Sequence, residues 1–176
     1  MPADATSVGP RVVDLQRRFR DVMAGVATPV SVVTAVSGDL PHGTTVSAFN
    51  SLSMTPPMVL VSLDLNSDLL AVVRESRRFG VNVLGSHQST LALAFAGKGG
   101  ASKFDGVRWE LDHGLPRLPG APGWLACEVT DLVAGGDHVI ALGAVVAAET
   151  TDGRPLTYHA RSFGTHAALE PARTHA

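Results

Sequence analysis

Residues 41–63, PHGTTVSAFNSLSMTPPMVLVSL, set the sharpest limit on how this chain can fold. The pair Pro56 and Pro57 fixes φ at two successive residues and removes two backbone donors, so neither a helix nor a central strand can run through it. Downstream, residues 58–63 form an unbroken apolar run of strand length that reads as a buried strand. Upstream, residues 42–48 read as a second strand. From Thr44 to Ser53 the chain carries five hydroxyl side chains, Thr44, Thr45, Ser47, Ser51 and Ser53. Two strands joined by a hydroxyl-rich, proline-locked connection present a ledge of main-chain and alcohol groups. Such a ledge suits a flat ligand with a polar edge.

The remainder of the chain reads as short strands punctuated by turn residues. Residues 1–10 are small and polar and read as a disordered lead. From 12 to 27, Val12, Leu15, Phe19, Val22, Met23 and Val26 recur at intervals of three and four, the pattern of an amphipathic helix that covers one face of something. Pro29 ends the helix, and residues 30–36 form a strand that pairs through the turn at Ser37–Pro41 with 42–48. After 58–63, Ser67 is placed to cap a helix over 68–76 with Asp68 in its first turn. Residues 78–84 form a strand, and Ser86 is placed to cap a helix to Ala96 closed by Gly97. The run Gly97-Lys98-Gly99-Gly100 reads as a flexible link, too short for a phosphate-binding P-loop. A hairpin is expected around Asp105-Gly106, an extended connector over 114–123, and a strand over 124–133. The Gly135-Gly136 turn leads into a strand over 139–148 with a bulge at Gly143, and a last strand spans 156–163. Residues 11–165 thus form one domain and 166–176 a tail.

Many antiparallel strands with three short helices argue for a barrel with helical decoration. A doubly wound parallel sheet needs alternating helices, and no GxGxxG follows a strand. The net charge of −2 leaves no electrostatic footprint for nucleic acid. No apolar run approaches the ~20 residues of a membrane span, and no signal-peptide pattern opens the sequence, so a cytoplasmic location is expected. The lone Cys127 fits a reducing compartment and, alternating onto an apolar face, reads as inert core. Low charge with positive mean hydropathy makes a homo-oligomer plausible. The seven histidines show no metal-ligand spacing, and without a GxSxG elbow serine hydrolysis has no support.

The segment GTTVSAFNSLSMTPPMVLVSL resembles the signature of the flavin reductase-like family, the FMN-binding split barrels. RRFGVNVL at 77–84, LALAFAG at 91–97, SKFDGVRW at 102–109, the GDH at 136–138 and PLTYH at 155–159 match in the family's order. The resemblance covers residues 19–163 and implies a mainly β fold with short helices, a Greek-key antiparallel split β-barrel. It also implies a homodimer with the flavin near the subunit interface. By the same resemblance the isoalloxazine edge of FMN or FAD lies along Thr45, Val46, Ser47 and Ala48, with Asn50 and Ser51 close by. Ser62, Leu63, Asp64 and Ser67 approach the ribityl chain and phosphate, and Lys103 and Phe104 close over the flavin, with Lys103 as counter-charge. Ser102 stands where the family more often has an acidic residue.

Each of these assignments has a structural rival. Thr44 and Ser53 read as structural, and Asn82 as a satisfied buried amide. His138 is either a turn histidine in water or, as the resemblance implies, the residue that positions the nicotinamide of NADH or NADPH for hydride transfer. Tyr158 either packs on the flavin or fills the barrel wall. The resemblance implies an NAD(P)H:flavin oxidoreductase that hands reduced flavin to a flavin-dependent monooxygenase. A non-enzymatic flavin-binding module on the same barrel is the alternative. An oxidase of the pyridoxine-phosphate type lacks its arginine-rich cradle, since only Arg74, Arg77 and Arg78 cluster.

Overall fold

The computed structural model describes residues 10–169. Most of the expected lead and the end of the expected tail lie outside that range. In chain order the elements are α1 (Pro10–Ala24), β1 (Thr28–Pro29), β2 (Ser31–Ser37), β3 (Leu40–Val46), β4 (Phe49–Met54), β5 (Pro57–Asp64), α2 (Asp68–Ser76) and β6 (Arg78–Val83). They continue with α3 (Ser89–Ala96), a 3-10 turn (Gly100–Phe104), β7 (Glu110–Asp112), β8 (Leu115–Arg117), β9 (Gly123–Gly135), β10 (His138–Thr150), β11 (Leu156–His159) and β12 (Ser162–Thr165).

Seven strands form one antiparallel sheet in the order β3-β2-β6-β9-β10-β5-β4. Laid flat, its two edge strands would stand about 29 Å apart at ~4.8 Å per strand. Yet β3 and β4 are consecutive in the chain, joined only by Ser47 and Ala48, a link that spans roughly 10 Å at most. The sheet must therefore roll until its edges meet, and where they meet the Ser62 N–H donates to the Ala48 carbonyl at 2.9 Å. No strand ladder joins β3 to β4, so the barrel is split at this seam. This is the mainly β, Greek-key split barrel that the sequence resemblance implied, with the hydroxyl-rich stretch at its seam.

Alternation along the strands divides the interior. Val33, Val61, Phe79, Val81, Cys127 and Ala141 fill the barrel, capped by Leu69, Leu70 and Val73 of α2. Val32 points the other way and joins Leu84, Phe95, Phe104, Leu118 and Leu156 in a second cluster under α3. Asn82 links the two layers. Its Nδ2 donates to the carbonyls of Val32 (3.2 Å) and Pro116 (3.4 Å), and its Oδ1 accepts from the Leu118 N–H at 2.7 Å. It is the satisfied buried amide expected. Cys127 is buried, and desolvation pushes its thiol up to about 12, which keeps it unreactive. The register shifts beside Gly143, where a Cβ would lie 2.5 Å from Phe79. The bulge and the close approach both require glycine.

Several boundaries differ from those expected. The connection between the two ledge strands is itself a strand, β4, paired with β5. Helix α1 ends three residues early, at a turn in which the Gly25 N–H donates to the Val22 carbonyl. Its apolar stripe is left uncovered among the described residues: Leu15, Phe19 and Val22 are 62–68% exposed. Ser67 occupies the N-cap position of α2 but makes no side-chain cap bond. The cap position of α3 is Gln88, not Ser86, and Gly97 has ordinary extended backbone. The hairpin expected at Asp105-Gly106 lies instead at His113-Gly114, both at positive φ, the geometry of a tight two-residue hairpin turn. The last strand is split into β11 and β12 by Ala160 and Arg161, again both at positive φ. That turn is held from α1, since the Ala160 N–H donates to the Ala24 carbonyl (2.7 Å) and Arg161 pairs with Asp21 (3.0 Å). No helix among the described residues is long and apolar enough to cross a membrane.

Candidate functional site

The seam between β3 and β4 opens into a pocket of about 200 Å³. It is lined by Thr44, Thr45, Val46, Ser47, Ala48, Ser62, Leu63, Asp64, Ser67 and His138. Three elements bring these residues together. The end of β3 and the two seam residues form one side. Antiparallel pairing sets His138, at the start of β10, opposite Asp64, at the end of β5. The turn after β5 then brings in Ser67 at the foot of α2. Ser47 and Ala48 lie outside the ladder and line the pocket, the Ala48 carbonyl being taken by the Ser62 N–H.

A larger cleft of about 490 Å³ adjoins it and shares Thr44, Asp64 and Ser67. Its other walls are His42, Asn66, Asp68 and the loop Gly97–Gly100, with Lys98 and Lys103. Lys103 is anchored: its ammonium donates to the carbonyls of Gly43 (3.2 Å) and Phe95 (3.1 Å). Desolvation lowers its pKa and the nearby Asp68 partly offsets that. An ammonium has three protons, so one remains for a ligand. Gly43 makes the anchorage possible, because a Cβ there would sit 2.8 Å from the Phe95 ring and 3.3 Å from Phe104. Two carboxylates, Asp64 and Asp68, balance the two lysines. Asp64 is committed locally, its Oδ1 accepting the Asn66 N–H at 2.7 Å.

His138 is half-exposed, and its Nδ1 lies 2.7 Å from Asp137 Oδ1. The Asp137 carboxyl is held below its usual range, first by this hydrogen bond and then by the imidazole's charge.

Nine of the residues singled out from the sequence thus share one pocket: Thr45, Val46, Ser47, Ala48, Ser62, Leu63, Asp64, Ser67 and His138. Lys103 lines the adjoining cleft. Asn50 and Ser51 stand exposed on β4, outside both linings. Phe104 is buried, 4.8 Å from the Phe95 ring and 5.8 Å from Trp109 between centroids. Thr45 donates its hydroxyl to the Ala92 carbonyl at 2.7 Å, so towards the pocket it offers lone pairs. Tyr158 belongs to a separate three-stranded sheet, β1-β11-β12, rather than to the barrel wall. It edges onto Phe163 in a groove that reaches the other side of Thr45, Val46 and Ser47.

Two walls escape a linear reading. Thr44, read as structural, lines both spaces, and so does its face partner His42 in the larger one; the period of two along β3 was the available signal. The Gly97–Gly100 loop becomes a wall only through the packing of α3, and nothing local announces that. Among the described residues no three His, Cys, Asp or Glu side chains gather as a metal site.

The donor set fits a flavin: alcohols along the seam for a polar ring edge, and in the adjoining cleft a lysine with a spare proton for a phosphate. The family model of the flavin reductase like domain matches residues 23–167. The reductase component of a 4-nitrophenol 4-monooxygenase/4-nitrocatechol 2-monooxygenase from Rhodococcus opacus is 41% identical, over 83% of this chain and 78% of its own. An FMN reductase (NADH) from Agrobacterium fabrum is 36% identical, over 84% of each chain. The solved structure of a Streptomyces globisporus NADH:FAD oxidoreductase superposes with a TM-score of 0.81 at 31% identity, covering 96% of this chain and all of that one. From its seam pocket to its sequence relatives, the chain belongs to the flavin reductase-like family.

Proposed function

We propose that the protein is an NAD(P)H:flavin oxidoreductase that reduces FMN or FAD and releases the product to a flavin-dependent monooxygenase. The observation that carries this reading is the seam pocket, lined by hydroxyl-bearing residues and the Asp64 carboxylate, with His138 at its rim and a lysine-bearing cleft beside it. The flavin, when bound, accepts a hydride from the dihydronicotinamide. The chain's own part is to align the two rings and limit water between them, which proximity and orientation suffice to make fast. Ser47 and Ala48 hold the ring edge through main chain and hydroxyl. Ser62 and Ser67 receive the ribityl chain, and Lys103 directs its remaining proton to the phosphate. His138 orients the nicotinamide. A site with little net charge favours release of the reduced flavin.

The protein acts as a homodimer, and the exposed apolar stripe of α1 supports this because six large apolar side chains in water are relieved by a permanent partner. A cytoplasmic location fits its reduced, buried Cys127. The test is oxidation of NADH, and separately of NADPH, followed at the nicotinamide absorbance band with FMN or FAD present. Turnover that depends on added flavin supports the reading; tight flavin binding without nicotinamide oxidation would make the chain a binding module instead.

A further inference from the structure

The Asp137–His138 contact has a chemical consequence. An ionised carboxylate only accepts hydrogen bonds, and the Asp137 side chain, almost fully exposed to water, is ionised at neutral pH. The 2.7 Å contact therefore places a proton on Nδ1. The backbone keeps the pair in place: Gly136 has a φ of +67° in the turn, and the Leu65 N–H donates to the Asp137 carbonyl at 3.0 Å. That last bond ties the Asp137 turn to the Asp64–Ser67 turn. The other groups facing His138 are Asp64 across the β5–β10 ladder, Gly135 across the β9–β10 ladder and Ser67 in the pocket lining. Gly135 offers no side chain, and the Asp64 carboxylate is engaged by Asn66. Asp137 alone among them holds the ring.

We propose that Asp137 is a positioning residue: by accepting the Nδ1–H of His138 it fixes the imidazole in one tautomer and leaves Nε2 as an acceptor for the carboxamide N–H of a dihydronicotinamide. The inference rests on the reading of the pocket as the flavin reductase site. An imidazole in water prefers the opposite tautomer, with the proton on Nε2. That nitrogen would then donate, and it would meet the carboxamide N–H with a second proton. Losing the fixed tautomer weakens nicotinamide binding while the flavin contacts, made by the seam and Lys103, stay as they are.

The experiment combines histidine 15N chemical shifts with kinetics. In the full-length protein at alkaline pH, the His138 resonance, identified by its loss in His138→Gln, is expected in the Nδ1–H form. Asp137→Ala is expected to shift it to the Nε2–H form and raise KM for NADH about three- to tenfold, the range of one hydrogen bond. FMN affinity should stay within about twofold in that variant. Asp137→Asn, which keeps an acceptor oxygen, is expected to restore both the tautomer and KM. A parent His138 already in the Nε2–H form, or an Asp137→Ala variant with unchanged tautomer and KM, overturns this inference and leaves the flavin site standing. His138→Gln with parental KM and turnover overturns this inference together with the nicotinamide role of His138.

Discussion

Replacing Asn82 with alanine separates structural from ligand-binding polarity in this barrel. The side chain is fully buried and bridges β2, β6 and the segment after β8. Alanine removes the acceptor of the Leu118 N–H, beside a Leu118 side chain that is itself buried. The carbonyl of Pro116 keeps a second donor, the Thr34 hydroxyl at 2.7 Å, so the loss centres on one orphaned buried N–H. Such a group costs about 1–3 kcal/mol, and the small cavity left behind adds roughly 1 kcal/mol. The expected loss is about 2–4 kcal/mol. For a chain of this size each kcal/mol moves Tm by about 2–4 °C, so the midpoint falls by about 4–16 °C. Urea unfolding should show a lower midpoint with an unchanged slope. FMN affinity below the transition should match the parent, because Asn82 lines neither cleft. A loss under about 0.5 kcal/mol, or a tenfold weaker FMN complex in a variant of parental stability, would refute the structural assignment.

Lys103→Met should weaken FMN binding about tenfold, the scale of one charge-assisted hydrogen bond, yet leave riboflavin binding nearly unchanged; paired fluorescence titrations read the ratio. Its anchor bonds to Gly43 and Phe95 are also lost, so a drop in Tm accompanies the change and Lys103→Arg limits both. The Asp137 carboxyl has a depressed folded-state pKa. It therefore contributes stability above its unfolded value of about 3.9, and that contribution is lost as pH falls through the folded value. Because the Asp137 side chain is almost fully exposed, solvent screening keeps that contribution small, so Asp137→Ala should lower the neutral plateau of a stability–pH curve slightly and merge with the parent at the acid end. In the proposed homodimer the exposed face of α1 is the contact, so Phe19→Asp should sediment as a monomer without changing the far-ultraviolet dichroism of the barrel.

Much of this architecture was legible in the residues, and the exceptions have physical causes. The β2–β3 hairpin and the Gly135-Gly136 turn followed from apolar runs bounded by turn residues, and α2 from its N-terminal serine and acidic first turn. Strand β4 did not. As an edge strand with both faces largely exposed, its FNSLSM sequence carries no apolar alternation to distinguish it from a loop. The Ala160-Arg161 turn was equally hidden, since two non-glycine residues at positive φ have no local signature and are held by distant α1. The helix itself was recognised by its stripe, but among the described residues that stripe stays exposed. At the site, the motif carried the seam residues, Ser62, Ser67 and His138 into one pocket. Sequence order could not show that Phe104 packs inward or that Asn50 and Ser51 face away, because those depend on which side of β4 and of the 3-10 turn meets the core.

The central claim is that flavin occupies the seam between β3 and β4. Ala48 is exposed at that seam, so tryptophan there can be accommodated by the fold while its ring fills the pocket. An FMN titration of Ala48→Trp, followed by flavin fluorescence, tests the claim most directly. The account predicts a variant that melts like the parent and binds FMN at least tenfold more weakly; parental FMN affinity in a well-folded Ala48→Trp would contradict it.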